Sequence, residues 1–223
     1  HTDLDALRMH PGADVRFVGP GEPFPAVDLV VLAGSKNVRA DLEFLRQQGW
    51  DQAILRHLRY GGKVIGLCGG LQVLGVSIRD PLGIEGKPGE SRGLGLLDLE
   101  TTLEPRKMLR KVSGVVFPGQ NRSARFEGYE IHMGVTRGPA LERPAVLING
   151  LPDGAISEDD RVLGTYAHGI FDGPEACAAL LGWAGFGEAR GVDLDARREA
   201  SFERLADCIE ANIDIARLEP YLN

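Results

Sequence analysis

The chain has 223 residues, 43% of them hydrophobic, and a formal net charge of −7. That length and apolar share suffice for one folded α/β-sized domain with a real core, and an acidic chain with no dense Lys/Arg run offers no nucleic-acid surface. No apolar stretch approaches the roughly 20 residues that cross a bilayer, so no membrane partner is expected either. The segment from His1 to His10 lacks the apolar core of a signal peptide. The three cysteines, Cys68, Cys177 and Cys208, are too few for a disulfide framework and suit a reducing, cytoplasmic setting. None has CxxC spacing and no His/Cys cluster has ligand spacing, so no metal is expected.

In chain order, residues 14–18 read as a short strand that enters without the usual leader of a complete domain, so the sequence is expected to be the later part of a longer polypeptide. Residues 20–25 form a Pro/Gly loop. Residues 28–33 are an apolar strand of the parallel-sheet type, followed by the small polar turn Gly34-Ser-Lys-Asn37. Such a turn lies at the carboxyl edge of a sheet, where open α/β folds keep their sites; read alone, it is an ordinary loop with Asn37 or Ser35 as N-cap. Residues 38–50 make an amphipathic helix through Leu42 and Leu45, broken at Gly49, and Ile54, Leu55 and Leu58 mark a second helix closed by Gly61 and Gly62. His57, between Arg56 and Arg59, reads as a solvated surface residue.

Val64, Ile65 and Leu67 form the most strand-like run, and it ends at Cys68 among Gly66, Gly69 and Gly70. Leu71, Val73 and Leu74 then start a helical pattern. Small neighbours are what a nucleophile at a strand-to-helix turn requires, because its backbone is strained and other groups approach closely. The helix behind it directs free N–H groups and a positive dipole end at the sulfur. The alternative is a buried, inert cysteine beside a Gly-rich turn.

Residues 79–95 read as a loop over the active edge, and strands resume at 94–99 and 112–117. A turn follows at 118–123, then an alternating strand at 128–134 and another at 145–148 with the hairpin signal Asn149-Gly150. Residues 154–157 and 162–166 read as paired strands about the turn 158–160, the second running into Ala167-His168. Residues 175–183 are a helix with Cys177 as a small core filler. A long helix spans 196–218, with apolar Phe202, Leu205, Ile209, Ile213 and Ile215 along a stripe and Cys208 near it. Early parallel alternation and later antiparallel pairs give an α/β fold with a mixed sheet flanked by helices. His168 closes an apolar strand with Gly169 beside it, which makes it the candidate proton shuttle for Cys68. Read alone, a histidine at a strand end is structural.

Gly66-Leu-Cys-Gly-Gly-Leu-Gln72 after a buried strand, with His168 late in the chain, resembles the class I (triad) glutamine amidotransferases. Further stretches narrow the resemblance to the glutaminase domain of cobyric acid synthase: Ala33-Gly-Ser-Lys-Asn37, Asp80-Pro-Leu-Gly-Ile-Glu-Gly86, Gly93-Leu-Gly-Leu-Leu97, Gly128-Tyr-Glu-Ile-His-Met-Gly134 and Gly164-Thr-Tyr-Ala-His-Gly-Ile-Phe-Asp172. The match runs over residues 15–172 in unbroken order. It implies a flavodoxin-like class I fold, a mostly parallel sheet with a cysteine nucleophile elbow, in a single domain over residues 1–223.

The resemblance further implies that Cys68 attacks the glutamine amide to form a γ-glutamyl thioester and that His168 protonates the departing ammonia. Gly34 and Gly69 match the oxyanion-hole positions and Gln72 the substrate contact. His132 and Glu130 either border the glutamine pocket or only hold a strand in place. The His-x-Glu pair of many members is absent, since Ile170 stands at that place; the cobyric acid synthase branch is similar in this. The imidazole's partner is therefore open between Asp172 and a backbone carbonyl. The chain has no GxxxxGK[ST] loop, so ATP and Mg are expected only in a synthetase domain, on the same polypeptide or a separate one, that binds the corrinoid substrate and takes ammonia for vitamin B12 synthesis. Two other readings stand beside this one: the glutaminase subunit of a complex that amidates a cell-wall lipid precursor, and a non-catalytic amidotransferase-like binding domain.

Overall fold

The computed structural model describes residues 2–119, 122–187, 191 and 193–213. In chain order the strands are β1 (Leu29–Leu32), β2 (Lys63–Leu67), β3 (Ser77–Asp80), β4 (Gly89–Arg92), β5 (Glu100–Val116), β6 (Ala124–Arg137), β7 (Val146–Ile148), β8 (Leu151–Asp153), β9 (Ala155–Ile156), β10 (Val162–Thr165) and β11 (Ala167–His168). The helices are α1 (Asp5–Arg8), α2 (Val38–Gln47), α3 (Trp50–Arg59), α4 (Gly69–Leu74), α5 (Pro174–Trp183) and α6 (Leu194–Asn212), with short 3-10 turns at Thr2–Leu4 and Pro139–Glu142.

One sheet has the order β1-β2-β10-β9, and the other runs β11-β6-β5-β3-β4 with β7 on β5 and β8 on β7. In the first, β1, β2 and β10 are parallel and β9 closes the edge antiparallel. In the second only β3 and β5 run parallel. Val64, Ile65 and Leu67 of β2 are fully buried, as a strand flanked by neighbours and covered by helices must be. α2 and α3 contribute Leu42, Leu45 and Ile54 to the core on one side, and α5 and the N-terminal turn contribute Leu180, Leu7 and Leu4 on the other.

The structure redraws several sequence expectations. Residues 14–18 make no ladder: they run in irregular conformation, with Arg16 paired to Asp14, too charged to compete for a place in the sheet. The span 79–95 is the hairpin of β3 and β4, whose turn is tied by Asp80 accepting from Ile84 and Glu85 N–H. Residues 94–99 are not a strand, because their N–H groups are used elsewhere. Leu94, Leu96 and Leu97 donate to the carbonyls of Val73 and Leu74 and so cap the last turn of α4. The strand expected at 112–117 is the end of the much longer β5. His57 is half-buried and its Nε2 bonds the Lys63 carbonyl at the foot of β2. In α6, Phe202, Leu205 and Ile209 are exposed; the helix continuation expected beyond 213, and the centre of the turn at 120–121, lie outside the described residues.

Other expectations held in detail. Asn37 caps α2 through its side chain, Gly49 breaks the helix at φ 70°, and Asn149 and Gly150 both take positive φ in the β7–β8 hairpin. Cys177 is fully buried under α5. Apart from these outcomes, the described residues include no helix long and apolar enough to cross a membrane.

The seat of α4 on the sheet depends on having no side chain at Gly70. A Cβ there would lie 2.0 Å from the Leu32 carbonyl oxygen, so backbone would have to move. Gly70→Ala should lower unfolding free energy by about 3 kcal/mol, near the upper end for overpacked sites. Gly187→Ala, exposed and with nothing within 4 Å, should change it by no more than about 0.5 kcal/mol; denaturant midpoints measure both.

Candidate active site

Cys68 sits between β2 and α4 with φ 53° and ψ −107°, a backbone conformation that an L-residue holds only when its surroundings enforce it. They do so here: Cys68 N–H continues the ladder to the Thr165 carbonyl at 2.8 Å, while its own carbonyl accepts from Gln72 N–H to start α4. The strained turn brings the sulfur to 3.2 Å from the Ile131 carbonyl oxygen.

The imidazole arrives by a strand that changes sheets. β10 stays parallel to β2 until Thr165 meets Leu67, and two residues later Ala167 and His168 pair with Glu130 and Tyr129 of β6. The kink is held by Asp153, whose Oδ2 accepts from Thr165 Oγ1 and from Tyr166 N–H, and by Thr165 Oγ1 accepting from Ala167 N–H. His168 thus enters the mouth that Cys68 faces. Its ring stacks on Tyr129, centroids 4.8 Å apart and planes within 3°.

Asp3, on the first turn of the described chain, holds the other side of the ring. Its Oδ2 accepts from His168 Nδ1 at 2.8 Å and its Oδ1 from Gly169 N–H at 3.0 Å. Sequence reasoning missed this residue and looked to Asp172 or a carbonyl instead. The only hint was indirect, the vacant Glu place after His168; nothing local to Thr2-Asp3-Leu4 marks it. Burial works to raise the Asp3 carboxyl, but the hydrogen bond and charge of His168 and the Gly169 N–H bring it below its ordinary 3.8. Burial likewise opposes charge on His168, yet Asp3 and the nearby Cys68 sulfur outweigh it and push the ring up from 6.5 to about 9.

The remaining expected residues surround the same space. A Cβ on Gly34 would stand 3.2 Å from His168 Cε1 and 3.6 Å from Cys68 Cβ, so glycine leaves open the gap between the sulfur-bearing residue and the imidazole. Gly69 is the first residue of α4, and its N–H has no partner within the helix. Gln72 is 2% exposed; its Nε2 donates to Met133 O at 3.3 Å and Tyr166 Oη at 3.2 Å. His132 stacks on Tyr166 at 3.8 Å and its Nε2 bonds Glu130 Oε1 at 2.7 Å. Glu130 stands back from the cavity, shared between His132 and Arg110. Burial tends to raise its carboxyl, and these two partners bring it down below 4.5.

Cys68, His168, Gln72 and His132 all line one cavity of about 1150 Å³. The His168 ring lies within hydrogen-bond reach of the Cys68 sulfur, and two further polar atoms, Gln72 Oε1 and His132 Nδ1, are buried without a hydrogen-bond partner. Each such atom costs about 1–3 kcal/mol, and native structures retain few of them without a reason. Both belong to residues that line the cavity shared by the Cys68 sulfur and the His168 imidazole.

Comparison with solved structures supports the fold. A structure described as a glutamine amidotransferase superposes with a TM-score of 0.57 at 18% identity, covering 82% of this chain and 92% of that one. The structure of PurLQS from Thermotoga maritima superposes with a TM-score of 0.55 at 16% identity, covering 84% and 90%. The mixed sheets flanked by helices are those of the flavodoxin-like class I amidotransferase fold. At the level of sequence, the model of the CobB/CobQ-like glutamine amidotransferase domain matches residues 1–176, a span that takes in the Asp3 turn, the Cys68 elbow and the His168 strand, and the chain belongs to that family.

Proposed function

We propose that this domain is the glutaminase of a cobyric acid synthase, with Cys68 and His168 as its catalytic residues, supplying ammonia for ATP-dependent amidation of corrinoid side-chain carboxylates. The observation that carries the chemistry is the meeting of the Cys68 sulfur and the Asp3-held His168 ring at one cavity. Family membership carries the glutamine substrate. The corrinoid acceptor rests on the sequence stretches quoted above and on the CobB/CobQ character of the matching family model.

In the proposed cycle the Cys68 sulfur, as thiolate, attacks the side-chain carbonyl carbon of glutamine. The oxygen takes up negative charge facing the Gly69 and Gly34 backbone, where preorganised N–H donors stabilise it. The tetrahedral adduct collapses as imidazolium His168 gives its Nε2 proton to the nitrogen, and ammonia leaves a γ-glutamyl thioester. Acylation removes the sulfur's negative charge, and with it one support for the ring's proton. Neutral His168 then takes a proton from water, whose oxygen attacks the thioester; glutamate departs and the thiolate–imidazolium pair is restored. Gln72 Oε1 is placed to accept from the substrate, and His132, aligned by Glu130, lines the pocket. A synthetase domain, with its ATP and Mg, covers the Cys68 edge and receives the ammonia.

Cys68→Ser and His168→Ala should each lower glutamine-dependent amidation by at least about a thousandfold and leave ammonia-dependent amidation unchanged when a synthetase is supplied. Equal loss of both activities would make the two residues structural. Because the folded-state pKa of His168 is raised to about 9, the proton it donates is present at neutral pH and is lost as pH rises through that value. The rate of thioester formation, followed by ammonia release in a single turnover, should therefore fall on the alkaline side near pH 9, not near the ordinary imidazole value of 6.5.

A further inference from the structure

The proposed reaction needs the imidazole in one tautomer, with Nδ1 protonated and Nε2 turned to the sulfur, and the neighbour that supplies this in many related enzymes is replaced by apolar Ile170. The geometry points to Asp3 as the positioning residue that fixes His168, so that the N-terminal turn is a working part of the hydrolytic centre. This inference rests on the Cys68–His168 reading above and adds a residue that reading does not require.

Four observations support it. First, a carboxylate can only accept, so the 2.8 Å contact from His168 Nδ1 to Asp3 Oδ2 requires hydrogen on Nδ1 and leaves Nε2 as the reactive nitrogen. Second, the second carboxylate oxygen accepts from Gly169 N–H at 3.0 Å; gripped at both oxygens, the carboxylate cannot rotate away from the ring. Third, the turn that carries Asp3 is anchored: Leu4, Ala6 and Leu7 are buried in the same core cluster as Leu180 and Trp183 of α5. Fourth, Thr2 bonds the Tyr129 hydroxyl, and Tyr129 is the ring stacked on His168. One face and one edge of the imidazole are therefore fixed by the same three-residue turn or by its partner. Asp3 is 9% exposed, and such a burial of a carboxylate is retained where it is paired. Asp3 borders the same cavity, but both its oxygens are taken by His168 and Gly169, so its action runs through His168.

Asp3→Asn tests this in the full chain. An amide of the same shape can keep its oxygen on Gly169 N–H only by turning its NH2 toward His168 Nδ1, which reverses the tautomer. Alkylation of Cys68 by a diazoketone analogue of glutamine should slow by about a hundredfold or more in the variant, the direction seen when a triad's acid becomes an amide. Its alkaline limit should move to lower pH, since the anion that sustains the ring's proton beside Cys68 and Tyr129 is gone. Imidazole nitrogen chemical shifts should report Nδ1–H in the wild type above pH 9 and Nε2–H in the variant. Asp5→Asn, one turn on and bonded to Arg8, should label at the wild-type rate.

Wild-type labelling kinetics and an unchanged tautomer in Asp3→Asn would overturn the role of Asp3 while leaving the glutaminase reading intact. Failure of the wild-type chain to be labelled at Cys68 would instead remove that reading. Should Asp3→Asn not fold, the wild-type spectrum decides alone: an Nε2–H tautomer of neutral His168 contradicts the proposal.

Discussion

A single change of strand partner organises this molecule. Up to Thr165 the chain belongs to the parallel sheet beside Cys68; from Ala167 it belongs to β6 and the second sheet. Buried backbone groups must stay hydrogen-bonded, and at the crossing it is side chains that satisfy them. Asp153 accepts from Tyr166 N–H and Thr165 accepts from Ala167 N–H. Burial raises the Asp153 carboxyl above its usual value despite these bonds, which shows how dry the crossing is. The same kink joins the two sheets and carries His168 toward Cys68, so the architecture and the candidate site share one device.

Around that crossing, polar groups fall into two sets with different energetics. Glu130, Asp3, Asp153 and the Tyr166 hydroxyl are fully engaged by protein partners, and they rigidify what surrounds the cavity. Tyr166, wholly buried, has its hydroxyl pushed up to about 12 and so remains a neutral donor and acceptor. Gln72 Oε1 and His132 Nδ1 sit beside those engaged groups yet have no hydrogen-bond partner themselves. A partly satisfied network destabilises a fold unless something else completes it, and preorganised open donors and acceptors are what a binding site requires.

The parts of this arrangement that are local in sequence could be read from the sequence. The apolar run of β2 and the glycines about Cys68 specify a strand, a tight turn and a helix within a dozen positions, and Asn37, Gly49 and Asn149-Gly150 mark their turns by backbone chemistry alone. His168 could be picked out because it closes an apolar strand. Asp3 could not be, because its partner is 165 residues away and no periodicity links the two. Residues 94–97 look like a strand and are not, since their N–H groups cap α4; hydrophobic pattern registers burial and is blind to which carbonyl a given N–H will meet. His57 fails for a related reason. Its charged neighbours suggested solvent, but Gly62 opens a space that the ring fills.

The size of the cavity has a kinetic corollary. At about 1150 Å³ it would hold a few tens of water molecules at liquid density, taking roughly 30 Å³ for each. In the proposed cycle, an acyl group on Cys68 of the uncovered domain would find its second reactant, water, already in abundance. The same abundance would let freed ammonia pick up a proton and diffuse away, which makes an enclosing roof the difference between hydrolysis and delivery.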